Sequence, residues 1–195
     1  MTDRCDQVVN RRPELLDAAR SGDREALAEL WRAHNPALLR YLRARRSPSP
    51  DDVASQVWID VARSIDRFEG GIDDFSRWLF TIAHRRSVDE IRRVVRASDA
   101  SVTAIRSADR VAGADVEHER HTALDRAIAL VSTLPDNQAE AVMLSVVNDL
   151  PTADVAAIMG ITQGNVRVLV HRGVTRLRRK VAVTDEAGPT MKRVP

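Results

Sequence analysis

Apolar side chains along this chain recur at three- and four-residue intervals, and no stretch sustains the two-residue alternation of a strand. The first helix is predicted over residues 13–20; it starts at Pro13 and stops at Ser21-Gly22, where Gly22 can end it and Asp23 can cap the next. In "DREALAELWRAH" the spacing of Ala26, Leu27, Leu30 and Trp31 is helical, and Asn35-Pro36 is expected to break the chain and restart it into "ALLRYLRARR". "SPSPDD" reads as a turn, with Ser49 as cap, Pro50 at the first helical position and Asp51 and Asp52 in the favourable first turn. The helix that follows carries Val53, Val57, Val61 and Ile65 on one stripe. "DRFEGGIDD" is a loop, and from Phe75 to about Arg96 runs the longest helix of this half. On that helix Trp78, Ile82, Arg85, Asp89, Arg92, Arg93 and Arg96 line one side, and Phe80, Ala83, Ile91 and Val94 another.

Residues 97–119 contain few large apolar residues and keep no period, which predicts a flexible linker. Four shorter helical segments follow, at about 120–133, 136–148, 152–159 and 163–180, separated at Leu134-Pro135, Asn148 to Pro151 and Gly160 to Thr162. A frayed tail is expected over 183–195. The resulting fold class is all-α, with two small helical domains, 13–96 and 120–182, each able to bury a modest core.

Charge alters this picture locally rather than globally. The formal net charge is only +2, from 30 basic and 28 acidic residues, so overall balance names no partner. Lys180 and Lys192 are the only lysines; the remaining basic residues are arginines, whose planar fork suits phosphate and base-edge contacts. A GC-rich genome produces the same bias. Cys5 is the single cysteine, which excludes an internal disulfide and a cysteine-built zinc site. The start "MTDRCDQVVNRRPELL" has no apolar core of signal-peptide length, and no run approaches the roughly 18 apolar residues of a membrane span. The expected location is the cytoplasm.

The stretch "TADVAAIMGITQGNVRVLVHR" has the build of a helix-turn-helix. Thr152 is placed to cap a first helix whose Val155, Ala156 and Met159 face inward; Gly160 permits the sharp turn, Ile161 plugs the core, and Thr162 caps the second helix. Turning about 100° per residue from Val166 puts Val170, Gly173, Val174 and Leu177 on one buried face. Gly164, Asn165, Val168, His171, Arg172, Thr175 and Arg179 fall opposite. From 167 to 180 there are six cations (Arg167, Arg172, Arg176, Arg178, Arg179 and Lys180) and no acid. Cations favour a helix C-terminus, which accounts for the last three but not for Arg167 or Arg172. In a major groove Val168 can pack on a thymine methyl while Gln163, Asn165, Arg167, His171, Arg172 and Arg176 reach base edges or phosphates. A solvated basic helix with a stray exposed valine is the plainer reading; cap, turn glycine, inward stripe and charge together favour DNA.

The long helix of the first half repeats the theme, with five arginines against Asp89 and Glu90 over 84–96. An aromatic at one end of such a face can stack an unpaired base, although Trp78 taken alone reads first as core. At this point "DDVASQVWIDV", "FSRWLFTIAHRRSVDEIRR" and "LPDNQAEAVMLSVVNDLPTADVAAIMGITQGNVRVLVHRGVTRLR" resemble conserved regions 2 and 4 of bacterial extracytoplasmic-function (ECF) sigma factors, in order, spacing and total length, over about residues 13 to 182. The resemblance implies a region 2-like helical bundle and a region 4-like four-helix domain. It further implies a promoter-recognition subunit with no catalytic site and no cofactor, whose partners are core RNA polymerase (β′ clamp helices and β flap), promoter DNA and, as a family expectation, an anti-sigma factor.

In that family the helix-turn-helix reads the minus-thirty-five element, and the first domain opens the minus-ten element by capturing a flipped base beside the loop before the long helix. Carried onto this chain, the resemblance puts Arg67, Phe68, Glu69 and Phe75 near the captured base, with Trp78, Arg85, Arg86, Arg92 and Arg93 along the strand path. Unstacking one base costs a few kcal/mol, which pocket contacts can return. The run from Asp51 to Ser76 has seven acids against Arg63 and Arg67; such a run is by default a solvated face, but in the family the helix beginning near Asp52 docks on the β′ clamp, which nominates Asp52, Val53, Gln56 and Val57.

Three places depart from the family pattern. Where Asp-Leu-Val-Gln-Glu is common this chain has Asp52, Val53, Ala54, Ser55 and Gln56; Arg85 stands where asparagine is usual; and the recognition helix reads Gly164, Asn165, Val166, Arg167, Val168, Leu169 in place of Gly-Thr-Val-Lys-Ser-Arg. Val168 therefore replaces a polar groove residue, which implies an unusual upstream preference. Among other readings, His118 and His121 have helical metal-ligand spacing without a third ligand, and the acidic run lacks the convergence a magnesium nuclease needs, so no metal is expected. A stand-alone helix-turn-helix regulator remains the alternative; it would bind duplex DNA unaided, usually as a dimer.

Overall fold

A computed structural model of the chain describes residues 12–100 and 123–186. The chain divides into two compact units between Thr122 and Ala123, and every regular element among the described residues is helical.

The first unit holds α1 (Arg12–Arg20), α2 (Arg24–Ala44), α3 (Pro50–Ser64), a 3-10 turn (Ile65–Arg67) and α4 (Ile72–Ala100). Gly22 takes a left-handed φ of 87° between α1 and α2. Asp23 caps α2, its carboxylate accepting from the amides of Glu25 at 2.8 Å and Ala26 at 3.2 Å. The break expected at Pro36 does not occur: α2 runs through it. An interior proline costs about 3 kcal/mol, but Leu30 before it and Leu38, Tyr41 and Leu42 after it are all fully buried, each burial being worth about 1.5–3 kcal/mol. Asn35 adds a cross-brace by accepting from Trp58 Nε1 at 3.0 Å.

Pro50 opens α3 as expected, whereas the Ser49 side chain makes no capping bond. Its carbonyl instead accepts from the Val53 amide at 3.0 Å. The stripe Val53, Val57, Val61 and Ile65 is buried throughout. On α4 the buried face is Phe75, Leu79, Phe80, Ala83, Ser87 and Glu90; Ile91 and Val94, read on the same side as Phe80 and Ala83, are half-buried. Two positions of that face, Ser87 and Glu90, are polar. Glu90 is tolerated there by accepting from Ser47 Oγ at 2.6 Å.

In the second unit α5 (Ala123–Val131) is followed by α6 (Asp136–Val142), a π-turn (Met143–Val147), α7 (Thr152–Met159) and α8 (Gln163–Glu186). Ala139, Val142, Met143, Leu144, Val155, Ile158 and Val166 supply the core. The π-turn ends where Asn148 donates both its amide, at 3.0 Å, and its side-chain nitrogen, at 2.8 Å, to the Met143 carbonyl. Residues 97–100, expected in the linker, continue α4, and 183–186, expected in the tail, continue α8; the remainder of both segments, with His118, His121 and Cys5, lies outside the described residues. No described helix is long and apolar enough to cross a membrane.

Candidate nucleic-acid interface

The turn between α7 and α8 is set by local chemistry. Gly160 adopts φ 66°, ψ 32°, a left-handed conformation that glycine enters without a Cβ clash. Ile161 then donates its amide to the Ala156 carbonyl at 3.0 Å, and its side chain is half-buried. Thr162 Oγ1 accepts from the Asn165 amide at 3.2 Å, the capping bond expected at the start of α8. Thr152, by contrast, is the first helical residue of α7 and makes no cap; Pro151 precedes it, and its fixed φ sets the entry angle instead. Met159 is only half-buried, Ile158 taking the inward place beside Val155 and Ala156.

With this entry angle fixed, Val166 and Gly173 are buried, and Val170, Val174 and Leu177 half-buried, on the inner face of α8. Gln163, Asn165, Arg167, Val168, His171 and Arg172 are all exposed on the other side, Val168 at 45%. Arg176 is exposed but already donates to Gln138 Oε1 at 3.0 Å. A groove of about 370 Å³ beside the helix brings Arg167, His171 and Arg178 together with Ser145 and Thr152. From Gln163 to Lys180 the exposed side of α8 is therefore cationic and free of acids, with Val168 as its exposed apolar side chain.

In the first unit the sequence-nominated residues separate into a floor and a rim. Phe75 is fully buried, surrounded by His34, Trp58, Phe68 and Trp78 at ring-centroid distances of 5.1, 6.5, 6.0 and 5.8 Å. Phe68 is also buried and stacks on Trp78 at 4.7 Å. Both phenylalanines, expected near the captured base, are thus buried, Phe75 within α4 and Phe68 packed against it. Trp78 is half-buried, while Arg67, Glu69, Arg85, Arg92 and Arg93 are exposed.

Arg86 is partly occupied, since Nε and one terminal nitrogen each donate to an Asp60 oxygen at 2.5 Å. That fork raises the guanidinium above its ordinary range. Beside it a groove of about 430 Å³ is lined by Asp52, Val53, Gln56, Arg86, Asp89, Glu90 and Arg93. Asp52 and Gln56 are exposed there and Val53, 6% exposed, shows only an edge to the groove, whereas Val57 is fully buried in the core.

Sequence reasoning missed Arg20. Its Nε donates to the Phe68 carbonyl at 3.0 Å, a terminal nitrogen donates to the Gly70 carbonyl, and the other donates to Asp17 Oδ1 at 2.8 Å. The guanidinium also lies over the Phe68 ring, 5.4 Å from its centroid. The partners are 48 and 50 positions away, and no local pattern announces them. Among the described residues no three His, Cys, Asp or Glu side chains cluster to hold a metal ion.

Comparison with known proteins finds a family match in each unit. The family described as sigma-70 region 2 matches residues 30–98, and that described as sigma-70, region 4 matches residues 124–177. The ECF RNA polymerase sigma factor SigD of Mycobacterium tuberculosis is 34% identical over 186 residues, covering 89% of this chain and 87% of its own length. ShbA of Streptomyces griseus, another ECF RNA polymerase sigma factor, is 29% identical over 177 residues, covering 84% and 92%. Among solved structures, sigma factor RpoE from Bartonella quintana, in complex with the anti-sigma factor NepR, superposes with a TM-score of 0.63 at 21% identity, over 80% of this chain and 96% of that one. CnrH, in complex with the cytosolic domain of CnrY, gives 0.59 at 19% identity, over 88% and 97%. At these identities the structures establish a shared fold.

Proposed function

The chain belongs to the sigma-70 family as an ECF RNA polymerase sigma factor, and from that premise we propose how its two units divide the work of starting transcription. As a sigma factor it directs promoter-specific initiation by core RNA polymerase; the stand-alone regulator is not favoured, because a second, region 2 unit accompanies the helix-turn-helix.

Residues 120–182 read the minus-thirty-five element with α8, through Gln163, Asn165, Arg167, Val168, His171 and Arg172, with Arg176 supporting the helix from its bond to Gln138. The observation that carries this assignment is the exposure of those side chains on a capped helix that holds no acid from Gln163 to Lys180. Residues 13–96 bind core polymerase and melt the minus-ten element, and residues 97–119 join the two. Exposed Arg67 and Glu69 meet the captured base. Phe68, Phe75 and Trp78 form the rigid floor beneath them, and Arg85, Arg92 and Arg93 follow the strand backbone. Asp52 and Gln56, at the lip of the charged groove, face the β′ clamp helices, and the second unit meets the β flap. The protein has no catalytic site of its own, works in the cytoplasm with the polymerase, and is held in check by an anti-sigma protein, as RpoE is found with NepR.

The division of labour is tested by paired variants. Arg172→Ala should weaken use of the upstream element while leaving affinity for core polymerase unchanged, and Asp52→Arg should do the reverse. Equal loss of both functions in both variants would overturn the assignment.

A further inference from the structure

We propose that Arg20 is a positioning residue for base capture: by tying down the backbone on either side of Glu69 it sets the geometry of the loop that meets the flipped base. This inference rests on the assignment of that loop to the minus-ten element. Three arms of one guanidinium are engaged, with the carbonyls of Phe68 and Gly70 and with the Asp17 carboxylate. Charge-assisted bonds of this kind are stronger than neutral ones, and the planar fork fixes directions that a lysine ammonium does not. Because Arg20 stacks over Phe68 while holding its carbonyl, the aromatic floor and the loop backbone are tied to the same group.

The other edge of the loop is equally constrained. Gly70 has φ 144°, and a Cβ there would come within 2.9 Å of Asp74 Cβ and 3.1 Å of the Phe68 ring. The Gly71 amide donates to Asp74 Oδ2 at 3.1 Å, anchoring the loop to the first turn of α4. Glu69 is the exposed residue between two pinned carbonyls, so the direction in which its side chain leaves the backbone is decided by Arg20 from another helix. Releasing the fork would leave Glu69 in place chemically but free to wander. Displacement of about 1 Å in a positioned contact can cost as much as a hundredfold in function.

The test uses the full chain assembled with core polymerase. The probe is the single-stranded non-template minus-ten segment of a promoter selected by run-off transcription from a random library, compared with the same strand carrying one abasic site at each position in turn. For the unaltered protein an abasic site at the captured base should weaken binding roughly tenfold. In Arg20→Ala and Arg20→Lys that penalty should shrink towards unity, while core-polymerase affinity and duplex upstream binding stay within about twofold of the parent. Arg20→Lys keeps the charge and decides the matter should the alanine variant fail to fold. Retention of the full penalty in the lysine variant would overturn the role of Arg20. Absence of any abasic penalty in the unaltered protein would instead overturn the loop assignment on which it rests, and the inference with it.

Discussion

Gly173 of α8 lies so close to Val142 of α6 that a methyl group on its Cα would come within 2.7 Å of the valine Cγ2. The helix proposed to read DNA is thus seated on the core of its own unit at a point where only hydrogen fits. Gly173→Ala gains about 1 kcal/mol of helix propensity but overpacks the contact by about 1–3 kcal/mol. The expected net result is destabilisation by about 1 kcal/mol in denaturant unfolding. In a Val142→Ala background the same change should become stabilising, because the clashing methyl is gone. An unchanged sign in both backgrounds would show that the helices do not meet as described.

Arg86 and Asp60 clamp α4 to α3 beside the proposed clamp-docking groove. The pair is partly exposed, with side-chain exposures of 40% and 25%, so screening limits its worth. Asp60→Asn should cost about 0.5–1 kcal/mol. The folded-state pKa of Arg86 is raised, so its contribution is fully present below the ordinary guanidinium range and is lost only as pH rises beyond it. The cost should therefore be flat between about pH 6 and pH 9. A steep change across that interval, measured by urea unfolding, would assign the stabilisation to another group.

Val168 is expected to contact a thymine methyl in the upstream element. Burying one such group is worth about 0.8 kcal/mol, roughly fourfold in affinity. Replacing thymine by uracil at a single position should reproduce that loss in the parent and have little effect in Val168→Ser, which should prefer a different base there. Equal sensitivity of both proteins to uracil in a holoenzyme binding assay would remove Val168 from the readout.

What could be read in the sequence was whatever its chemistry settles locally. Asp23, Gly160 and Thr162 act through residues within a few positions, and each does what its type predicts. Pro36 was misread because the rule for proline is local, while the burial of Leu30, Leu38, Tyr41 and Leu42 that carries α2 through it is tertiary. The resemblance puts Phe68 and Phe75 near the captured base, while the packing of their rings was not legible, because the partners His34, Trp58 and Trp78 come from three helices. The burial of Val53 and Val57 was legible in the stripe they share with Val61 and Ile65, which faces inward throughout. Arg20 lay beyond reach, because carbonyl groups 48 and 50 residues away leave no periodic trace.

The central claim is that this chain starts transcription only as part of a larger enzyme. Run-off transcription from a promoter library, with the full-length protein and with core RNA polymerase present or omitted, measures this directly. Defined transcripts should arise from a discrete set of promoters only when both proteins are present, and the protein alone should hold duplex DNA weakly. Tight, sequence-specific binding of duplex by the protein alone, with no promoter-specific transcript on adding core enzyme, would contradict the account.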